Sequence, residues 1–167
     1  MTHMVAYIGI HEKGKLSLLD LLKAVKDRPD FHKAGALAMF IGVVRGETIG
    51  GETVKKLELE AYEKKANEVL GNICKELRER EGVIDVQVHH FVGEFGVGED
   101  MVYVVVAGAH RQNVFPVLEE AVERYKKEAT LFKKEYVIDK TGVTKSYWVS
   151  EREAEETRRK SGDMSAS

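Results

Sequence analysis

A single cysteine among 167 residues leaves no partner for an internal disulfide, which excludes a small disulfide-stapled scaffold and points to a reducing cytoplasm. No apolar run reaches the roughly 18 residues that a membrane span requires, and no signal peptide opens the chain. Excess charge of one sign is lacking as well. A formal net charge of -2 and the want of a basic stripe with aromatic platforms exclude a nucleic-acid binder driven by global electrostatics. No internal repeat is present. What is there is 43% apolar and 32% charged, the balance of an ordinary soluble globular protein. The length suits one domain that buries a real core without disulfides or metals.

Two stretches, residues 35–44 (GALAMFIGVV) and 101–109 (MVYVVVAGA), are apolar on both faces, which predicts strands at the centre of a helix-covered sheet. Residues 54–61 suit a half-exposed strand, and in 83–92 the residues Ile84, Val86 and Val88 share one face. A 3.6-residue stripe of Ala66, Val69, Leu70, Ile73, Cys74 and Leu77 predicts a helix over 64–81. A second stripe of Phe115, Leu118, Val122, Tyr125 and Ala129 predicts one over 113–129, with Asn113 as its cap. Strands at 132–138 and 144–149 flank a turn at Asp139–Gly142, and the glycine-rich Gly46–Thr53 is a mobile loop. The mixed order gives an α+β fold with a mostly antiparallel sheet and packed helices. The chain divides into an N-terminal strand–helix extension (1–34), a main domain (35–152) and a polar tail (153–167), helix-prone at first and disordered in its last seven residues.

Each apolar strand runs into cations, the first into Arg45 and the other into His110 and Arg111. These are either surface caps or parts of one anion site, since guanidinium forks suit phosphate and carboxylate. On the second helix, Arg124 has Glu120 four residues earlier and Lys127 has Glu123, but Lys126 has Val122. Lys126 therefore either snorkels over the core edge or stands desolvated as a base or nucleophile. On the next strand Lys133, Glu135 and Val137 share one face, and Phe132, Lys134, Tyr136 and Ile138 the other. Lys133 and Glu135 form either a solvated edge or a pair beside Lys126. Gly9–Lys15 has the glycine–lysine spacing of a phosphate-binding loop, but Leu16 stands where a magnesium-holding Ser or Thr belongs. His89 and His90 point to opposite faces, so no metal site is expected, and Cys74 on its buried stripe is an inert core thiol.

The ordered segments GALAMFIGVVRGE, LELEAYEKKA, VGEFGVGEDMVYVVVAGAHR, YKKEATLFKKE and YWVSERE resemble the large, catalytic subunit of molybdopterin synthase, from about Gly35 to Arg152. The resemblance implies an α/β hammerhead fold and a homodimer within a heterotetramer. It also implies a small ubiquitin-like sulfur carrier as partner, whose C-terminal Gly-Gly thiocarboxylate gives sulfur to cyclic pyranopterin monophosphate. The same resemblance makes Lys126 and Lys133 the catalytic lysines, with Arg45, His110 and Arg111 on the pterin phosphate and the incoming tail. Val43, Val44, Lys134 and Glu135 fall in substrate-contact segments, and Arg152 matches an arginine that reaches the neighbouring subunit's pocket. No metal or cofactor is called for. The chain departs from the family at Thr130 and Phe132, where Pro and Trp are usual, and at Phe91, where Arg is frequent. The Gly14–Asp20 segment looks like an eroded phosphate-loop start. A carrier-docking module without chemistry and a small nucleotide-binding protein are the alternative functions.

Overall fold

The computed structural model describes residues 8–150 and Gly162. In chain order the elements are β1 (Gly9–Glu12), α1 (Leu18–Lys26), a 3-10 turn (Phe31–Lys33), β2 (Ala36–Val43), β3 (Thr53–Ala61) and α2 (Glu63–Arg78). They continue with β4 (Val83–Gly96), β5 (Asp100–Gly108), α3 (Arg111–Glu128), β6 (Leu131–Ile138) and β7 (Thr144–Ser150). The strands form one sheet in the order β2-β5-β4-β3-β6-β7, antiparallel throughout, with β1 added parallel to β4. This is the α+β, mostly antiparallel architecture the sequence predicts.

Strand β4 is long enough to serve two halves of the sheet. Along one edge its residues His89–Val92 pair with β1 and Gly93–Gly96 pair with β3, while Val83–His90 pair with β5 along the other. The change of partner falls at Gly93, whose φ of 130° suits only glycine.

On one face α2 and α3 bury Leu70, Ile73, Leu77, Val114, Val117 and Ala121 against Val86, Val88, Val104 and Val106. On the other, α1 sets Leu21 and Val25 into a second cluster with Phe91, Phe95, Tyr103 and Val105. Ser17 caps α1 by accepting from the Asp20 amide. Strand β1 and helix α1 are thus built into the same sheet and core as the rest of the chain. Gly9–Glu12 are in strand, so only a short turn remains of the phosphate-loop spacing.

Three sequence expectations need correction. Strand β2 is not central: among the described residues it pairs with β5 alone, most of its residues are half-buried, and Val43 is 49% exposed. Apolarity on both faces of a strand records a preference to avoid water, not which surface provides the cover. Helix α3 buries Val114, Val117 and Ala121 beside the expected Tyr125 and Ala129, so its inward face is rotated from the predicted stripe: Leu118 and Val122 pack at its edge and Phe115 is 59% exposed. That helix starts at Arg111 with His110 as its N-cap, and Asn113 lies in the first turn, its side chain accepting from the His110 amide and donating to the Glu81 carbonyl. Third, Ile84 does not share a face with Val86 and Val88: a bulge between Val83 and Asp85 turns it to the α1 side, where Asp85, Gln87 and His89 are also buried.

Candidate active site

A cavity of about 560 Å³ opens where the end of β2, the start of β5, the last turn of α3 and the inner faces of β6 and β7 meet, with the 46–52 loop over it. The alternation of β6 puts Lys133 and Glu135 inside. Lys133 is 4% exposed, and its ammonium lies 3.4 Å from Glu135 Oε1. A cation this buried persists only beside a counter-charge. Glu135 Oε2 accepts from the Tyr147 hydroxyl at 2.8 Å. Burial, and then the Glu135 carboxylate, hold that phenol above the usual tyrosine range.

Lys126 is half-buried at the end of α3 and lines the same cavity. Its neighbours are committed elsewhere. Lys127 lies 3.7 Å from Glu123, and Arg124 binds Glu76 and Glu128, each at 2.7 Å. Glu120, expected on Arg124, instead reaches across to Arg80 at 2.9 Å.

Val43, Val44 and Arg45 form another wall. The Val44 amide donates to the Glu99 carbonyl at 3.0 Å and its carbonyl accepts from Gly98 at 2.8 Å, so the β4–β5 turn fixes where Arg45 leaves the sheet. Glu47 and Glu52 come from the overhanging loop.

Sequence reasoning passed over His90 and Tyr147, which both line the cavity. The His90 ring is buried, stands edge-on to Tyr125 at 5.8 Å, and lies with Nδ1 3.1 Å from the Phe91 carbonyl. A carbonyl only accepts, so that nitrogen carries a proton. The alternation of β4 already put His90 on the face opposite His89; what it lacked was the element covering that face.

Other expected residues lie elsewhere. Lys134 is on the outer face of β6, its ammonium 5.3 Å from the Tyr136 ring and 5.4 Å from the Trp148 ring, because neighbouring strand residues point oppositely. His110 and Arg111 do not share a site with Arg45 within one chain. Strands β2 and β5 are antiparallel, Ala36 facing Gly108 and Val43 facing Asp100, so the two exits are roughly 25 Å apart. Arg152 and, Gly162 apart, the polar tail lie outside the described residues. No cluster of metal-ligating side chains occurs among the described residues. Cys74 is fully buried and its thiol is pushed up to about 12 by burial, as an inert core thiol should be.

The cavity thus gathers two ammonium groups, a guanidinium at its mouth and a carboxylate–phenol pair. Such a site can hold an anionic group and offset charge that develops on a reacting carbonyl.

Known proteins share this sequence and shape. A family profile described as MoaE protein matches residues 11–128. The chain is 36% identical over 150 residues to the probable molybdopterin synthase of Haloferax volcanii, covering 89% of this chain and 55% of that protein, so it spans about half the relative's length. It is 35% identical over 123 residues to the molybdopterin synthase catalytic subunit of Bacillus subtilis, covering 74% of this chain and 75% of that one. The crystal structure of molybdopterin synthase from Staphylococcus aureus superposes with a TM-score of 0.72 at 26% identity, over 86% of this chain and 97% of the other. A complex of subunits 1 and 2 of molybdopterin-converting factor from Helicobacter pylori shares the fold with a TM-score of 0.66 at 24% identity, over 88% and 92% of the two chains.

Proposed function

Because the chain belongs to the MoaE family, the catalytic subunits of molybdopterin synthase, we propose that its cavity is where sulfur passes from a carrier's thiocarboxylate to cyclic pyranopterin monophosphate. The observation that carries this reading is that Lys126 and Lys133, from different elements, line one cavity with Arg45 at its mouth. Arg45 holds phosphate. The thiocarboxylate sulfur attacks the pterin carbon, forming a C–S bond as a C–O bond to that carbon breaks and the departing oxygen takes up a proton. Water then cleaves the acyl–sulfur bond, leaving sulfur on the pterin and a carboxylate on the carrier. Lys126 moves the proton or contacts the acyl carbon, and Lys133 offsets the negative charge that develops on the acyl oxygen.

The partner is a small ubiquitin-like carrier whose Gly-Gly tail enters past the 46–52 loop; the subunit complex of the Helicobacter pylori proteins supports such a pairing. A second copy of the chain completes the site. The apolar edge of β2 has no neighbour among the described residues, and an exposed apolar edge invites strand pairing. Antiparallel pairing of two β2 strands about a two-fold axis puts the Ala36 end of one beside the Val43 end of the other. Since Ala36 lies next to Gly108 in β5, this brings His110 and Arg111 of one copy toward Arg45 of the other. Arg152 extends the same shared site. The assembly is a heterotetramer of two catalytic and two carrier subunits, working in the cytoplasm.

Reconstitution with a thiocarboxylated carrier and the cyclic pterin, followed by assay of the dithiolene, tests the reading. Lys126→Ala is expected to abolish product while the carrier still binds. Retained turnover removes Lys126 from the chemistry. A wild-type protein that binds carrier but makes no product is a docking module instead.

A further inference from the structure

We propose that Tyr147 is a positioning residue for the sulfur transfer assigned above: its phenol fixes Glu135, and Glu135 fixes the Lys133 ammonium inside the cavity. The inference rests on that assignment for its reaction but on the coordinates for its contacts.

Glu135 and Tyr147 are directly opposed across β6 and β7, so both side chains rise on the same face of the sheet. Lys133, two residues before Glu135, rises on that face as well. The Glu135 carboxylate is divided between its neighbours, Oε2 taking the Tyr147 hydroxyl at 2.8 Å and Oε1 lying 3.4 Å from Lys133 Nζ. A glutamate side chain has rotamers that would carry its carboxylate out to water, and this one is 17% exposed. The phenol removes that freedom, since turning away would cost a charge-assisted hydrogen bond. The side chain of Lys133 is 5% exposed, so its ammonium is directed by the groups around it, and Glu135 is one of them. Burial and the carboxylate keep the phenol protonated across the neutral range, so Tyr147 acts as a donor and not as a base. Tyr147 stands on β7, a strand paired only with β6 among the described residues, so the grip also ties an edge strand to the chemistry.

The test is a double-mutant cycle in the reconstituted enzyme. Tyr147→Phe keeps the ring and removes the hydroxyl. It is expected to lower kcat about tenfold, the equivalent of one charge-assisted hydrogen bond, with KM for pterin and carrier changed by less than about twofold. In a Glu135→Gln background the same substitution should cost less than about twofold, because the contact it removes is already weakened. Equal losses in both backgrounds overturn the proposal. So does a raised KM with kcat intact, which would make Tyr147 a contact for the carrier tail. A second readout needs no turnover: the Tyr147 phenol, followed by the carbon-13 shift of Cζ, should titrate at lower pH in Glu135→Gln than in the wild type. An unmoved titration overturns the clamp. A wild-type enzyme that makes no product while the phenol still moves overturns the assigned reaction and leaves the clamp standing.

Discussion

Replacing Asp85 with alanine should destabilise the fold by about 3 kcal/mol, a figure that follows from the polar chain beneath α1. Asp85 is fully buried. Its Oδ1 lies 2.9 Å from Arg78 Nη2, 3.1 Å from Arg78 Nε and 3.6 Å from Arg28 Nη1, and its Oδ2 accepts from Gln87 Nε2 at 2.6 Å. Gln87 Oε1 lies 2.8 Å from His89 Nε2, and His89 Nδ1 lies 2.8 Å from His11 Nε2. The carboxylate sets the direction of the bonds as far as His89. Because it only accepts, the Gln87 amide nitrogen must donate to it and the Gln87 oxygen must accept from His89. The short contact between His89 Nδ1 and His11 Nε2 then has one proton between its two nitrogens.

Alanine at position 85 leaves the Gln87 donor buried without its acceptor, a loss of about 1–3 kcal/mol. Breaking a fully buried ion pair costs about 3–5 kcal/mol, but Arg28 and Arg78 are each 34% exposed and can regain water, so this part is smaller. The sum is near 3 kcal/mol, which in a domain of this size lowers Tm by roughly 6–12 °C. Asp85→Asn, which keeps one accepting oxygen, should fall between the wild type and alanine. Urea unfolding at one fixed protein concentration is the assay, because the stability of any chain that self-associates depends on concentration. A loss below about 1 kcal/mol for Asp85→Ala would refute the reasoning, since the chain would then be no better than its hydrated parts.

Two further outcomes follow from perturbed groups. Cys74, raised to about 12 by burial, should have only about one thiolate in ten thousand at pH 8 and resist a thiol reagent until the protein unfolds; labelling of the native protein at the rate of a free thiol would contradict its burial. The Asp139 carboxyl is held well below the usual aspartate range, first by the Thr141 hydroxyl and then by the Val143 amide. A depressed folded value stabilises the turn above the unfolded value of about 3.9, and that support is lost as pH falls through the folded value. Asp139→Ala should therefore speed amide exchange in β7 at pH 6, and the difference from wild type should close only in strong acid; equal exchange at pH 6 would show that the turn does not depend on this carboxylate.

Much of this arrangement was legible in the chain because side-chain periodicity reports facing. The stripe of α2, the buried run of β5 and the shared face of Lys133 and Glu135 were readable from spacing, but whether that face turned inward or to solvent was not. Lys126 stood apart from Arg124 and Lys127 in the spacing, and in the structure Lys126 is the one of the three that lines the cavity. What periodicity does not contain is the identity of the neighbour. Arg124 could pair along its own helix in either direction, and a tertiary contact from Arg80 to Glu120 decided which. Tyr147 became a site residue only through the register of β7 on β6, which depends on the Asp139 turn and not on any local pattern.

The same distinction explains the largest gap between sequence and site. Arg45 and His110 each end an apolar strand, and whether they meet depends on strand direction, which hydrophobic pattern does not encode. With β2 and β5 antiparallel, one chain holds them apart. In the dimer proposed above, a second chain laid antiparallel along β2 would bring them together and would also cover the apolar edge that has no neighbour among the described residues. The sequence reading that treated β2 as central is met within one chain by an edge strand with Ile41 and Val43 exposed.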